Sequence, residues 1–223
     1  FLGVPFDSVR LVTGDTDRVS VGGGAHSGRA LRMGSVVMMN ASRDIVAPAR
    51  RIAGPLLNAD PDTLSFAGGR FGVPGTGRSM DLFDVAAASN EALTAVSDEV
   101  FNIASFPYGS HVCEVEVDPE TGVVDIVNYA AVDDVGRAVN PMIVHGQVHG
   151  GIVQGAGQAL LEQCVYDPKT GQMLSASFMD YAMPRADRFP FFRTVLSEVP
   201  SPTHPLGIRP GGGNKVERVA GDK

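Results

Sequence analysis

The sequence has 223 residues, of which 43% are hydrophobic and 19% are charged. It is long enough to bury a core, yet it carries fewer charges than an average soluble domain, which predicts packing against further protein. The 18 basic and 25 acidic residues give a net charge of −7, so we expect no nucleic-acid partner. No apolar run reaches the roughly 20 residues of a membrane span.

The pattern in the first half of the chain predicts a strand at 9–13, a helix at 34–52, a hairpin at 63–73 and a helix at 80–96. Gly68 and Gly69 form a two-residue turn in the hairpin. Ser79 is the expected N-cap of the following helix, and Asp81 falls in its first turn.

The second half predicts strands at 111–118, 123–132 and 192–198, with turns at 118–122 and 167–171 and a glycine-rich helix between the second and third strands. The first strand is marked by strict alternation of residue types, and its partner follows an Asp-Pro-Glu-Thr-Gly turn. Strands and helices that alternate irregularly indicate the α+β class.

The two cysteines, Cys113 and Cys164, are too few and too far apart for a disulfide framework or an iron–sulfur cluster. Cys113 falls in a strand pattern and Cys164 at the end of a helical one, so we expect buried free thiols. Free thiols favour a reducing compartment, and we expect the cytoplasm. The chain begins at Phe1 in strand-like sequence, which predicts a fragment of a longer protein.

The glycine-rich helix GQVHGGIVQGAGQALLEQ (146–163) contains five glycines. Each interior glycine costs roughly 1 kcal/mol relative to alanine in a helix. Their spacing places them along adjoining helical faces, with the amide of Gln154 among them. Bare faces let another backbone or a large flat ligand come close. A tightly packed helix with Gln154 as a satisfied core amide explains the pattern equally well.

Several separate motifs occur in an order that resembles one protein family. These motifs are FLGVPFDSVRLVTGDTD (1–17), VGGGAHSGRALRMGS (21–35), VDDVGRAVNP (132–141), the glycine-rich helix, SFMDYAMPRAD (177–187) and SPTHPLG (201–207). Together they resemble the molybdopterin-binding large subunit of the xanthine dehydrogenase, aldehyde oxidase and carbon monoxide dehydrogenase family. The resemblance implies that residues 1–223 form a C-terminal portion of the molybdopterin-binding region, with 208–223 as a divergent tail.

The glycine-rich loop VGGGAHSGRA (21–30) leads into a helix, and its backbone amides and hydroxyl are suited to an anion. An ordinary surface loop that caps the helix fits the residues as well. The resemblance implies that this loop contacts the cofactor through Ser27, Gly28, Arg29 and Ala30. Many family members carry a serine where this chain has Ala30, so one hydroxyl contact is absent.

The resemblance also implies that Gln154 hydrogen-bonds close to the metal of a molybdenum cofactor. Iron–sulfur and FAD centres would lie on partner subunits or domains, as would the remaining part of the large subunit. The implied reaction is hydroxylation of a small-molecule aldehyde or N-heterocycle with water as the oxygen source. The front half of such a subunit, with its own cofactor loops, is not in this sequence.

Two pairs of polar side chains allow more than one interpretation. His145 and His149 are four residues apart, which suits a shared metal, but no third ligand is evident and packing or surface histidines are expected. Asp133 and Asp134 suggest general acid–base work, but adjacent strand residues point to opposite faces. A turn or surface role is the expectation for these two aspartates.

The end of the chain departs from the family pattern. Counting without gaps from Pro205 places Gly213 where the family has the glutamate that acts as general base. Glycine cannot accept a proton, and Glu217 lies four residues further on. No catalytic residue can therefore be assigned, and the resemblance implies that catalysis needs complementary protein. A non-catalytic interaction subunit is the alternative.

Overall fold

The computed structural model describes residues 1–223 except 20, 23, 27, 99–103 and 212–223. The described helices and strands are α1 (Arg29–Arg32), α2 (Gly34–Leu56), β1 (Ser65–Ala67), β2 (Arg70–Gly72), β3 (Ser79–Asp81), α3 (Leu82–Ala87), β4 (Tyr108–Val117), β5 (Val124–Asp134), α4 (Pro141–Leu160) and β6 (Arg193–Ser197). The chain divides into two compact units. Unit 1 consists of Phe1–His26 and Met33–Asn102, and unit 2 consists of Ser27–Arg32 and Ile103–Lys223.

Unit 1 packs the long helix α2 against a small antiparallel sheet with the order β1-β2-β3. Its buried core consists of Ala49, Ala53, Leu57, Leu64, Phe71, Leu82 and Val85. The predicted helix at 34–52 is confirmed and continues to Leu56. The predicted hairpin is also confirmed, because Gly68 and Gly69 both have positive φ, as a two-residue turn requires.

Three predictions in unit 1 are wrong. Residues 9–13 form no strand, and they have no strand partner among the described residues. Ser79 is not an N-cap, because Ser79–Asp81 pairs with β2 as a third strand. The cap is Asp81, whose Oδ1 accepts from the backbone N–H of Asp84 at 2.8 Å. The helix it starts is short and ends at Ala87 instead of continuing to residue 96.

Unit 2 is built on a three-stranded sheet with the order β4-β5-β6, in which β4 and β5 are antiparallel and β5 and β6 are parallel. All three strands were predicted, within three residues at each end. Helix α4 packs against one face, where Ala131, Val148, Ile152 and Phe192 form the core. The α+β class is therefore confirmed.

Helix α4 begins at Pro141, five residues before the predicted start at Gly146, and ends at Leu160. Asn140 sets this start, because its side-chain oxygen accepts from the backbone N–H of Ile143 at 3.3 Å. Proline in the first turn is compatible with this geometry, since its missing N–H would have no helical acceptor. The capped N-terminus of α4 therefore follows β5 after a short connecting segment, residues 135–140.

The expectation of buried thiols is wrong, because Cys113 and Cys164 are free but exposed. Cys113 lies on β4, which pairs on one side only and whose residues are almost all exposed, and Cys164 follows the end of α4. Alternation predicted the strand, but it could not show how little of β4 is covered. Within the described part of the chain, no helix is long and apolar enough to cross a membrane.

Candidate functional site

Unit 2 contains a cavity of about 440 Å³. It is bordered by α1, by the segment between β5 and α4, by the first two turns of α4 and by the loop before residue 212. The lining residues are Gly28, Ala30, Leu31, Val135, Arg137, Ala138, Val139, Asn140, Ile143, Val144, Gln147, Arg209, Pro210 and Gly211. This volume is in the usual range of small-molecule and cofactor sites.

Gly28 brings the loop that leads into α1 into close contact with the opposite wall. Its φ is +66°, and a Cβ at this position would lie 2.7 Å from the Cβ of Pro210. A side chain here would be strained by the backbone conformation and would also collide with the proline ring. The two walls of the cavity can approach this closely only because residue 28 is glycine.

A buried ion pair anchors the wall that carries Pro210. Arg209 Nε lies 3.4 Å from Asp134 Oδ1, and the side chains are 13% and 1% exposed, respectively. The guanidinium also donates to the backbone oxygens of Val199 at 3.2 Å and Phe106 at 3.1 Å, and it lies over the ring of Tyr108. Arg209 is thus held by structural partners at the edge of the cavity.

The surroundings of Asp134 favour its charged form. Burial, the largest single influence, raises the pKa of this carboxyl. The backbone N–H of Gly136, the hydroxyl of Tyr108, the backbone N–H of Val199 and the positive charge of Arg209 together outweigh burial, so the pKa lies below its ordinary value. Asp134 is therefore an ionised structural anchor.

The expected turn or surface role of Asp133 and Asp134 is wrong, because both side chains are buried within β5. They do face opposite sides of the sheet. Asp133 lies 3.3 Å from the imidazole of His111, whose other ring nitrogen lies 3.1 Å from the hydroxyl of Tyr129. Each aspartate is partnered by a cation or potential cation from elsewhere in unit 2, which sequence spacing alone could not reveal.

The predicted cofactor-binding residues are only partly brought together. Gly28 and Ala30 line the cavity, whereas Arg29 lies in α1 but outside the lining, and Ser27 lies outside the described residues. Gln154 is exposed on α4 and also lies outside the lining. The glutamine that does line it is Gln147, seven residues earlier. Because seven residues make almost two full turns, the two amides share one helix face, a signal the sequence already contained.

The glycines of α4 differ in what surrounds them. A Cβ at Gly146 or Gly150 would meet nothing within 4 Å, whereas one at Gly157 would collide with the ring of Pro184. Gly157 is therefore explained by packing inside unit 2. Gly146 and Gly150 leave a bare helix face that no described residue fills.

His145 and His149 do share a helix face, and both point toward Thr194 on β6. His145 Nδ1 lies 2.8 Å and His149 Nε2 3.2 Å from the Thr194 hydroxyl. The ring of His149 also makes edge contacts with Phe191 and Phe192. No group of three potential metal ligands occurs among the described residues. These contacts pack α4 against β6 and the residues just before it.

A sequence profile described as "Molybdopterin cofactor-binding domain" matches residues 1–190. The chain belongs to this family. Among curated relatives, it is 33% identical over 91% of its length to the 6-hydroxypseudooxynicotine dehydrogenase complex subunit gamma of Paenarthrobacter nicotinovorans. It is 31% identical over 93% of its length to the carbon monoxide dehydrogenase large chain of Hydrogenophaga pseudoflava. It spans 27% of each relative.

Solved structures agree with this assignment. The chain is similar to a Cu,Mo-CO dehydrogenase, with a TM-score of 0.77 at 30% identity, covering 90% of this chain and 26% of that one. It is also similar to quinoline 2-oxidoreductase from Pseudomonas putida 86, with a TM-score of 0.71 at 31% identity, covering 86% and 26%. The family resemblance carried by the sequence motifs is therefore confirmed, and this molybdopterin-binding domain belongs to a molybdenum hydroxylase family.

Proposed function

We propose that this chain is the C-terminal part of the molybdopterin-binding subunit of a molybdenum hydroxylase and supplies one side of the cofactor site. The observation that carries the proposal is the cavity in unit 2, where Gly28 and Ala30 face Pro210 and Gly211. Two of the residues implied by the family resemblance thus line a ligand-sized space. Because the chain belongs to the molybdopterin cofactor-binding family, molybdopterin is the ligand we assign to this cavity.

The residues of the cavity suit a flat, polar ligand. Gly28 and Ala30 carry little or no side chain, so backbone N–H groups are accessible to the ligand. Arg137 and Gln147 add a cationic and an amide donor among mainly apolar neighbours. A mostly apolar wall with a few placed polar groups is the usual composition of a cofactor site. The bare face at Gly146 and Gly150 would let such a ligand, or the protein that holds it, reach α4.

When bound, the molybdenum cofactor supplies the two-electron oxidation by which an aldehyde or N-heterocycle is hydroxylated with oxygen from water. The role of this chain is to bind and orient that group. Gln147 and Gln154 can each donate or accept a hydrogen bond from the same helix face. We place iron–sulfur and FAD centres, and the rest of the large subunit, on partner domains or subunits.

The chain contributes no carboxylate at the position of the family's general base. Gly213 stands there by direct counting, outside the described residues, and glycine cannot move a proton. We therefore propose that this chain contributes binding and orientation, and that any turnover depends on a carboxylate from elsewhere in the assembly. The cytoplasmic location, suggested by two free cysteines, stays a prediction.

The direct test is purification of the chain from its own cells through an affinity tag, together with whatever protein it retains. Molybdenum is measured by mass spectrometry and pterin by fluorescence after oxidative release. Gln147→Ala and Gln154→Ala should lower both contents, whereas Gln172→Ala, an exposed glutamine near the 167–171 turn, should not. An assembly with neither molybdenum nor pterin would contradict the proposal and favour the non-catalytic alternative.

A further inference from the structure

Four residues of unit 2 form a closed ring of hydrogen bonds beside the cavity. His204 Nε2–H donates to the backbone oxygen of Arg32 at 2.8 Å, and Arg32 Nη1 donates to the backbone oxygen of Ser105 at 3.2 Å. The hydroxyl of Ser105 donates to the backbone oxygen of Ile208 at 2.8 Å, and the N–H of Ile208 returns to His204 Nδ1 at 3.4 Å. The N–H of Leu206 also donates to Nδ1, at 3.1 Å.

These contacts fix the tautomer of His204. Nδ1 accepts from two backbone N–H groups and so carries no proton, while Nε2 needs its proton to donate to Arg32. The contacts therefore select the Nε2–H tautomer of the imidazole. His204, Ser105 and Ile208 are only 3%, 1% and 1% exposed, so water has little access to the polar atoms that these three residues contribute to the ring.

The ring joins the two walls of the cavity. Arg32 is the last residue of α1, whose Ala30 and Leu31 line one wall. Ile208 directly precedes Arg209 and Pro210, which line the opposite wall. The imidazole contacts both segments at once, through the Arg32 oxygen on one side and the Ile208 N–H on the other.

We propose that His204 is a positioning residue for the cofactor site. It holds α1 in register with the loop at 208–211, so that the two walls keep the spacing that a bound molybdopterin requires. This inference rests on the proposed function. The hydrophobic cluster between α4 and the sheet consists of other residues, Ala131, Val148, Ile152 and Phe192, so loss of the ring should loosen the cavity more than the fold.

The test compares His204→Gln with His204→Met in the cofactor-loaded assembly. The two replacements have similar length and volume, but only glutamine can donate to the Arg32 oxygen and accept from a backbone N–H. We expect His204→Gln to keep pterin and molybdenum contents within about threefold of wild type. We expect His204→Met to lower both about tenfold or more, with an unchanged far-ultraviolet circular dichroism spectrum.

A second variant removes the ring from its other side. Ser105→Ala deletes the hydroxyl that reaches Ile208, and it should reproduce part of the loss. When it is combined with His204→Met, the further loss of pterin and molybdenum should be small, because both substitutions break the same ring. If His204→Met does not fold, the cofactor content of Ser105→Ala decides the proposal. A nitrogen-15 spectrum of the full chain should show the Nε2–H tautomer of His204, and the other tautomer would contradict the ring.

The possible failures can be told apart. Wild-type cofactor content in a folded His204→Met variant, or in Ser105→Ala where His204→Met does not fold, would overturn the positioning role and leave the proposed function intact. Equal loss in the Gln and Met variants would also overturn it, since the hydrogen bonds would then not be what matters. Absence of pterin from the wild-type assembly would instead overturn the proposed function and this inference with it.

Discussion

Asp134 and Arg209 show how single residues define the rim of the cavity. Their ion pair is largely buried, and the guanidinium also donates through Nε to the backbone oxygen of Val199 and through Nη1 to that of Phe106. Removing one member of such a pair leaves the other charge without compensation in a poorly hydrated site. The pair thus holds the wall formed by Arg209–Gly211 to the end of β5.

We predict that Arg209→Leu destabilises the chain by about 3 kcal/mol, because Asp134 would remain buried and uncompensated. Chemical denaturation followed by circular dichroism measures this change. Arg185→Leu is the control, since Arg185 is 74% exposed and pairs with an equally exposed Asp187. No measurable change is expected there. Equal losses in the two variants would show that the buried pair has no special role.

The depressed pKa of Asp134 predicts a pH dependence. Its stabilising contribution is fully present above the unfolded-state pKa of about 3.9 and is lost as the pH falls through the lower folded-state pKa. Asp134→Asn should therefore be less stable than wild type at neutral pH, and the gap should narrow below about pH 4. Unfolding free energies measured from pH 3 to 7 test this, and a gap independent of pH would contradict it.

The residue at position 213 should determine the hydroxylation activity of the assembly. If it occupies the position of the general base, Gly213→Glu should raise hydroxylation by about 10²–10⁴-fold in an assembly that contains molybdenum. The measurement is reduction of an electron-accepting dye with aldehyde or N-heterocycle substrates. Gly213→Gln, which cannot take the proton, serves as the control. Strong activity in the unmodified chain would show that another carboxylate acts, such as Glu217 or one from a partner.

Among the helices, α4 contains two glycines whose replacement by alanine should change stability in opposite directions. Gly150→Ala should stabilise the isolated chain by up to about 1 kcal/mol, because the added methyl meets nothing and alanine favours the helix. Gly157→Ala should destabilise it, because its Cβ would collide with Pro184. In the cofactor-loaded assembly Gly150→Ala should instead lower the pterin content. Thermal unfolding and pterin release measure the two effects, and a stabilised variant with full pterin content would contradict a ligand-facing role for this surface.

The elements also show what the sequence could predict. Periodicity and turn residues located α2, the β1–β2 hairpin and the strands of unit 2, because those signals are local. The helix predicted at 80–96 is the shorter α3, because Asp81 rather than Ser79 caps it and because Ser79–Asp81 pairs with β2 as a strand. The Asp134–Arg209 pair and the His204 ring join residues far apart in the chain, so no local pattern could reveal them. Gln147 could have been found from its spacing to Gln154.

At the scale of the whole molecule, much apolar surface is uncovered. On the sheet of unit 2, Val112, Val132 and Val195 are 67%, 46% and 58% exposed, on the face opposite α4. We infer that further protein covers this face, and the low fraction of charged residues in the chain, 19%, supports the inference. Isolated soluble domains rarely expose apolar patches larger than about 300–600 Å².

We predict that the isolated chain binds an apolar fluorescent dye and that Val112→Thr with Val195→Thr lowers this binding. Added hydroxyls make the exposed sheet face less apolar while keeping β-branched side chains in the strands. Val21→Thr, at a valine of unit 1 that is even more exposed (88%), should change dye binding less. Size-exclusion chromatography at several concentrations would show whether the chain self-associates through such a face. A monomer without dye binding would contradict the prediction.

We propose that this chain supplies part of a molybdopterin site and needs further protein to complete it. The most direct measurement is the pterin and molybdenum content per chain, made on the isolated chain and on the assembly purified from the same cells. We predict stoichiometric cofactor in the assembly and little in the isolated chain, because half a site leaves polar groups of the ligand unpaired at about 1–3 kcal/mol each. Stoichiometric cofactor in the isolated chain, or none in the assembly, would contradict the claim.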